Sequence, residues 1–539
     1  KKVADPLASY TERRGERIES FFTDLSYEFK NAKFIGPELK DIVIYETHLP
    51  ALSRHPSAEV LEDRHRGTCD GVCSPAILSY LQELGVALEF LPLHAHDGLL
   101  GQDWGYFSTS FHAFRHCYAS KKSEVNRKIM ELVDTLHGQG IPVILDVVFN
   151  HGGELLVKAW GETVVYRRHE NGDFCHGSGC GPTINTEHPA IRETILQTLE
   201  HLVTHYRFDG FRFDLGALHD KRTMLEIDKR LPQHIYLISE PWALGGARWG
   251  KGDLAHDMGE TRWAVWNDDF REAGRGFIRG HGNHHGRDLL MRSIAGSNIG
   301  DGSWALRPQQ SINYLSSHDG KTLPDLLDGN KQRVFLGVML ILTSQGIPML
   351  SAGTELMYSK QGHDNTYDRP DLNQIDWHLA TVHKDLVRAI RALIALRKTH
   401  PHFRYTTQLR NQQAQPRHWD IKWIYPTGYP HHDNVNAIGY ELRPPGGALG
   451  KVWRGRPVIV LLNGSHSGAN LRTTEGKWRV IADGNRIVVN ANGLTGVDAE
   501  DDYHTHPGTG VILARAPWFR LRRLMEFFGF ERLKSRSKA

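Results

Sequence analysis

The chain has little cysteine, five residues among 539. An odd and small number is inconsistent with a disulfide framework and favours a reducing compartment, so we predict a cytoplasmic location. Cys69 and Cys73, and likewise Cys175 and Cys180, are spaced closely enough for a zinc site or, in the second pair, a local bridge. We predict that they are ordinary loop thiols instead.

Long apolar runs, strong net charge, internal repeats and low-complexity tracts are also missing. No run reaches the roughly 18 residues that a membrane-spanning helix needs. The longest, 334–342, is interrupted by Gly337. A net charge of +3 gives no reason to expect nucleic-acid binding. We interpret the 32 histidines as hydrogen-bonding groups rather than as metal ligands.

What the sequence does contain, over residues 41–401, is an alternation of short apolar segments with longer amphipathic ones. This pattern is typical of repeated βα units around a parallel sheet. Eight candidate strands favour an α/β fold with a (β/α)8 barrel over an open sheet. The candidate strands are Asp41–Glu46, Ala87–Leu93, Pro142–Phe149, Gly210–Leu215, Ile235–Ser239, Trp263–Trp266, Ser311–Leu315 and Ile347–Leu350.

The segments on either side of the predicted barrel have a different texture. Residues 402–517 consist of short apolar runs separated by Gly, Asn and Asp, which predicts a smaller all-β, β-sandwich domain. Residues 518–539 are basic, aromatic and amphipathic, and we favour a terminal helix over a segment that docks on a membrane or a partner. Residues 1–40 are predicted to be an N-terminal extension.

Polar and charged residues collect where the third, fourth, fifth and seventh candidate strands end. Barrel enzymes place their chemistry at these carboxyl ends, where a charge without a partner or a task is costly. The period-2 alternation of a strand puts Arg212 and Asp214 on the same side. We therefore expect the three carboxylates Asp214, Glu240 and Asp319 to converge with an arginine and two histidines. The strand-end residues are Asp146, His151, Arg212, Asp214, Glu240, His318 and Asp319.

This set suits the cleavage of a glycosidic bond, which needs one carboxylic acid and one carboxylate. Arg212 would keep Asp214 ionised, so that Asp214 can face the anomeric carbon. Glu240 is flanked by Pro241 and Trp242, and apolar surroundings would raise its pKa and make it the acid. Carboxyl groups roughly 5–5.5 Å apart would give a covalent intermediate and retention.

Four segments resemble the signature segments of the α-amylase superfamily, in order and in spacing. They are DVVFNH (146–151), GFRFDLG (210–216), SEPW (239–242) and NYLSSHDG (313–320). Within the superfamily the chain is similar to isoamylase, glycogen debranching enzyme and pullulanase. The resemblance implies a retaining glycoside hydrolase that cuts α-1,6 branch points in glycogen- or starch-type glucans.

The resemblance also implies a role for each matching residue. Asp214 would be the nucleophile, Glu240 the general acid/base, and Asp319 the carboxylate that stabilises the transition state. Arg212 would orient the nucleophile. The other expected substrate-site residues are His151 and His318 as hydrogen-bond donors to the sugar, Tyr106 as a stacking platform, Trp242, and Asp146 in a supporting position.

The resemblance does not separate the subfamilies. IYETHLPALSRHP (44–56) looks like isoamylase and glycogen debranching enzyme, whereas QGHDNTYDRPDLNQIDW (361–377) looks like pullulanase. The family usually carries a carbohydrate-binding β-sandwich before the barrel, and KVADPL (2–7) resembles its last residues. Few residues separate Gly320 from a helix beginning near Lys331, so we expect an open cleft that admits bulky branched chains.

Other functions use the same residues. A branching enzyme or glucanotransferase needs the same nucleophile and acid, so it stays an alternative. Another α-glucosidic hydrolase is less favoured. A non-catalytic glucan-binding subunit is also less favoured, because it would not need intact carboxylates. We predict no cofactor and no metal, because a calcium site near Asn150 lacks the 6–8 oxygen ligands required. The expected partner is a branched α-glucan or a malto-oligosaccharide, and the oligomeric state stays open.

Overall fold

A computed structural model describes residues 5–14, 17–96, 104–255, 261–415, 418–427, 434–445, 456–484, 497–499 and 502–515. The predicted C-terminal tail 518–539 lies outside these residues. Among the described residues, no helix has both the length and the apolar character needed to cross a membrane.

The predicted (β/α)8 barrel is confirmed. Eight parallel strands of the described chain close into a barrel, in which the last strand pairs with the first. Each strand is buried on both faces, which explains why the sequence shows continuous apolar runs there. The strands are β3 Ile44–Thr47, β4 Ala87–Phe90, β5 Val143–Val147, β6 Gly210–Phe213, β7 Tyr236–Ser239, β8 Ala264–Trp266, β9 Ser311–Asn313 and β10 Ile347–Ser351.

Several of the longer helices around the barrel bury one apolar stripe, as α4, α7 and α15 do. In α7, His188 caps the first turn by accepting from the amide of Ala190, and Pro189 occupies the first helical position. The helices are α1 Leu49–Ser53, α2 Cys69–Val72, α3 Pro75–Leu84, α4 Val125–Gly138, α5 Glu154–Trp160, α6 Glu162–Val165, α7 Pro189–Tyr206, α8 Lys221–Arg230, α9 Lys251–Ala255, α10 Asp268–Arg279, α11 His284–Ile294, α12 Leu323–Leu326, α13 Lys331–Thr343, α14 Leu379–Val382 and α15 Lys384–Thr399.

Helix α13 contains the longest apolar run of the chain, and every residue from Val334 to Thr343 is buried. One side of the helix packs near β10 and α15, and another meets the strands Val458–Asn463 and Thr509–Arg515 of the C-terminal region. The hydroxyls of Thr343 and Tyr440 are 2.7 Å apart across this boundary. The run is apolar all round because the helix is enclosed on all sides.

The C-terminal region is all-β, as the sequence predicts, and its described strands pair in antiparallel fashion. One sheet has the order β11-β12-β13-β18-β15-β16, and β14 pairs with β17 in a second one. Residues of both sheets share an apolar cluster that includes Leu471 and Trp478. The strands are β11 Ile421–Ile424, β12 Ala437–Leu442, β13 Val458–Asn463, β14 Ala469–Arg472, β15 Trp478–Asp483, β16 Val497–Ala499, β17 Asp502–Thr505 and β18 Thr509–Arg515.

The described part of residues 1–40 contains a hairpin, β1 Tyr10–Arg14 and β2 Arg17–Phe21. The following segment lies along α4, where the carboxylate of Asp134 accepts hydrogen bonds of 2.9 and 2.8 Å from the amides of Lys30 and Asn31. The boundaries 1–40, 41–401 and 402–517 stay predictions.

Candidate active site

The guanidinium of Arg212 is the centre of the site at the carboxyl ends of the barrel strands. It is completely buried and lies 4.3 Å from the ring centroid of Trp266. Its Nη1 is 2.6 Å from Asp146 Oδ2 and 3.3 Å from Asp214 Oδ1, and its Nη2 contacts Glu240 Oε1. One cation therefore holds three carboxyl groups from β5, β6 and β7.

Three carboxyl groups on one cation do not all stay ionised at neutral pH. Burial raises the pKa of Glu240 to about 8, although Arg212 opposes this shift and the charges of Asp214 and Asp319 add to it. Burial also raises the pKa of Asp146, to about 6. Of the two groups, Glu240 has the pKa that is raised further above its ordinary value, which is the direction that a general acid requires.

Backbone hydrogen bonds at the ends of β6 and β7 fix the positions of Asp214 and Glu240. The amides of Asp214 and Glu240 continue the barrel ladder by donating to Val147 and Phe213, both at 3.1 Å. Leu215 then takes a left-handed conformation with φ +39°, and its amide donates a 2.8 Å hydrogen bond to Glu240 Oε2. A left-handed leucine is costly, and such strain collects at functional sites.

Asn150 and His151, which follow β5, hold the other side of Asp214. Asn150 Nδ2 donates to Asp214 Oδ2 at 2.7 Å and to the Asp214 carbonyl at 2.8 Å. The amide oxygen of Asn150 is 2.6 Å from His151 Nδ1. Burial lowers the pKa of His151, so its ring is neutral at pH 7. Both ends of the Asn150 amide are thus engaged within the site.

Tyr106 and His318 stack on each other beside Asp146. Their ring centroids are 5.0 Å apart with an angle of 18° between the planes. The Tyr106 hydroxyl donates a 2.6 Å hydrogen bond to Asp146 Oδ2. The Tyr106 ring therefore lies in the site, as expected for a residue that stacks on a sugar, and one of its faces packs against the His318 ring.

Asp319 lies at the outer edge of the group. Its side chain is 59% exposed, and its Oδ1 is 3.5 Å from His318 Nε2. A cavity of about 500 Å³ opens beside it, lined in part by Arg271 and Asp364. Trp242, half-buried, is 6.3 Å from Trp266 in ring-centroid distance. The structure thus joins Asp214 and Glu240 through Arg212, whereas Asp319 contacts its neighbour His318.

Some residues of the site do not stand out in the sequence. The carboxylate of Glu46, at the end of β3, binds His318. Lys360 Nζ donates to the His318 carbonyl at 2.8 Å. Burial raises the pKa of the Cys180 thiol, and the nearby charges of Asp214 and Asp319 raise it further. The strand-end rule could have found Glu46, whereas Lys360 and Cys180 come from loops.

The described residues contain no group of three or more His, Cys, Asp or Glu side chains placed to hold a metal ion. Cys175 and Cys180 are free thiols, so the local bridge considered from their spacing is not formed.

A parallel barrel with two carboxyl groups on adjacent strand ends, both bound by one arginine and one of them with a raised pKa, has the architecture of a glycoside hydrolase. No protein-family model matches the chain. A pullulanase of Bacillus subtilis is 34% identical over 68% of the chain, which spans 57% of that protein's length. A glycogen debranching enzyme of Dickeya chrysanthemi is 30% identical, covering 86% of the chain and 76% of the relative.

Solved structures agree with these relatives. A pullulanase of Paenibacillus barengoltzii in complex with maltohexaose and α-cyclodextrin superposes with a TM-score of 0.80 and 27% identity. The match covers 95% of this chain and 83% of that one. The chain belongs to the debranching-enzyme family of the α-amylase superfamily, which includes pullulanase, glycogen debranching enzyme and isoamylase.

Proposed function

We propose that the chain hydrolyses α-1,6-glucosidic branch linkages in glycogen- or starch-type glucans with retention of configuration. The observation that carries the proposal is the shared guanidinium of Arg212, which brings the Asp214 carboxylate and the protonated Glu240 to one point. Family membership supports an α-glucan as the substrate, and the complex of the Paenibacillus barengoltzii pullulanase with maltohexaose supports a malto-oligosaccharide chain as its recognised part.

In the first half of the reaction, Glu240 transfers its proton to the glycosidic oxygen of the branch point. The bond between that oxygen and the anomeric carbon breaks as the Asp214 carboxylate forms a covalent bond to the same carbon. The released chain leaves with the proton. Asp319 and the two histidines, His151 and His318, would hydrogen-bond the sugar hydroxyls while positive charge develops at the ring.

In the second half, the Glu240 carboxylate accepts a proton from a water molecule. The water oxygen bonds to the anomeric carbon and the Asp214 ester breaks, so both carboxyl groups return to their starting states. Tyr106 and Arg212 would keep Asp146 and the nucleophile in place throughout. Trp242, next to Glu240, would contact the chain that departs.

The proposal is tested on amylopectin, glycogen and pullulan with the purified chain. Debranching is expected to release reducing ends and linear malto-oligosaccharides and to deepen the iodine colour of amylopectin. Maltotriose from pullulan would add a pullulanase-type specificity, and action on glycogen alone an isoamylase-type one. If the iodine colour changes from blue towards red without new reducing ends, the chain is a branching enzyme. If the glucans are bound but unchanged, it is a binding protein.

The matched control is Asp214→Asn, which keeps the size of the side chain and removes the nucleophile. Its purified form is expected to lose at least about 1,000-fold in kcat while still binding maltohexaose. Near wild-type hydrolysis by this variant would overturn the assignment of Asp214.

A further inference from the structure

Glu46 and His318 are far apart in the chain and meet because the barrel closes between β10 and β3. Glu46 is buried on β3, in register with Ser351 of β10 on one side and Glu89 of β4 on the other. Its Oε2 accepts from the His318 amide at 2.6 Å, and its Oε1 is 2.7 Å from His318 Nδ1. The Glu46 carboxylate therefore binds both the backbone amide and the ring of His318.

The two hydrogen bonds determine which ring nitrogen carries hydrogen. An ionised carboxylate only accepts hydrogen bonds, so His318 Nδ1 must donate to Glu46. The other nitrogen, Nε2, is left facing Asp319, at 3.5 Å from its Oδ1. With one carboxylate bound at Nδ1 and another near Nε2, the ring is placed to be an imidazolium that has Asp319 beside its Nε2.

The surroundings leave the His318 ring little freedom. Tyr106 stacks on one face, the indole of Trp104 meets the ring edge-on at 5.3 Å, and Lys360 Nζ binds the carbonyl. Burial and Arg212 oppose protonation of the ring. The charges of Asp319 and Glu46 outweigh both and raise the pKa of His318 to about 9.

We propose that Glu46 is a positioning residue of the hydrolytic site, which sets the His318 ring so that Nε2–H and the Asp319 carboxylate together receive the hydroxyls of one glucose unit. The proposal rests on the proposed function for the identity of the sugar, but the pairing of Glu46 with His318 does not. Loss of the Glu46 charge should free the ring to rotate and to lose its second proton.

Glu89 offers a matched control. It is the cross-strand neighbour of Glu46, is equally buried in the barrel interior, and one oxygen of its carboxyl group has no hydrogen-bond partner among the described residues. Burial, followed by the charge of Glu46, raises the pKa of Glu89 well above its usual range. Glu89→Gln removes a carboxyl group next to Glu46 but keeps the shape of the side chain and leaves the pairing of Glu46 with His318 in place.

The first measurement needs no variant of Glu46. Histidine-selective 13C labelling followed by an NMR titration gives the pKa of each visible ring, and the signal absent from His318→Gln identifies His318 among the 32 histidines. The wild-type His318 is expected to stay protonated at pH 7 and to titrate near pH 9. A neutral His318 at pH 7 would overturn the proposal even if Glu46 variants failed to fold.

The second measurement compares Glu46→Gln with Glu89→Gln. Glu46→Gln is expected to move the His318 titration at least one pH unit towards acid and to lower kcat/KM at pH 8 about tenfold or more. Glu89→Gln should change the acid dissociation constant of His318 less than twofold, and kcat/KM at pH 8 less than twofold. An unmoved His318 titration in Glu46→Gln, or equal effects of the two variants, would contradict the proposal.

The two proposals fail in different ways. A wild-type chain that cleaves no glucan but shows the expected His318 titration would refute the proposed function alone. An active debranching enzyme with a neutral His318 would refute only the role of Glu46.

Discussion

The amide of Leu215 donates to Glu240 Oε2 from a backbone with φ +39°, one residue after Asp214. The turn that ends β6 therefore does two things at once, because it projects Asp214 and also binds the neighbouring acid. The next residue is Gly216. A Cβ atom added to it would lie only 1.7 Å from Ser239 Oγ, which is a severe clash. The sequence GFRFDLG is thus explained by contacts at each of its last three positions.

Gly216→Ala is expected to destabilise the protein by about 1–3 kcal/mol, because overpacking displaces the turn against β7. The same displacement should weaken the bond from Leu215 to Glu240 and lower kcat. The free energy of unfolding comes from urea titration. Gly252→Ala is the control, since a Cβ there meets nothing within 4 Å and alanine favours its helix. Equal stability of the two variants would be evidence against the tight turn.

Arg212→Lys should lower kcat by about 100-fold or more, because an ammonium cannot reach three carboxyl groups as a planar fork does. Some loss of stability is also expected, since buried carboxylates lose a partner. The control is Arg222→Lys on α8, whose side chain is 74% exposed and pairs with Glu226 at the surface. A variant at 212 with kcat within threefold of wild type would contradict the shared-cation arrangement.

The pH profile of kcat/KM should have its alkaline limb near pH 8. Glu240 is protonated below its raised pKa of about 8, so the acid form and the rate fall about tenfold per unit above it. Loss of the His318 proton near pH 9 should steepen the fall further. Stopped assays on a soluble branched oligosaccharide give the profile. A limb near pH 6 would mean that Glu240 is not the acid.

Trp242→Ala should raise KM about tenfold and change kcat less than threefold, because a half-buried aromatic beside the acid binds ground state and transition state alike. Trp242→Phe keeps a stacking face and should recover most of the affinity. If kcat falls while KM stays constant, Trp242 acts on the acid instead of on the departing chain.

The barrel was predictable because its strands are buried on both faces and most of their residues are apolar. In the C-terminal region, β12 is harder to find. Gly439 interrupts its pattern, and the reason lies in packing, since a Cβ there would come within 2.7 Å of Leu461. The exposed alternate positions of β14 likewise leave only a weak apolar signal.

The candidate site was predictable as far as the rule of strand ends extends. That rule locates Asp146, Arg212, Asp214 and Glu240, which the structure joins in one network. Lys360 could not be found in this way, because its contact with His318 depends on how a long loop folds back.

The central claim is that Asp214 forms a covalent bond to the sugar while Glu240 acts as acid and base. Glu240→Gln incubated with α-maltotriosyl fluoride tests it, because fluoride leaves without an acid and the missing base slows hydrolysis of the intermediate. Mass spectrometry should detect one added maltotriosyl group, located by peptide mapping on Asp214. An unmodified protein that nevertheless releases fluoride at the wild-type rate, or a label on another carboxylate, would contradict the account.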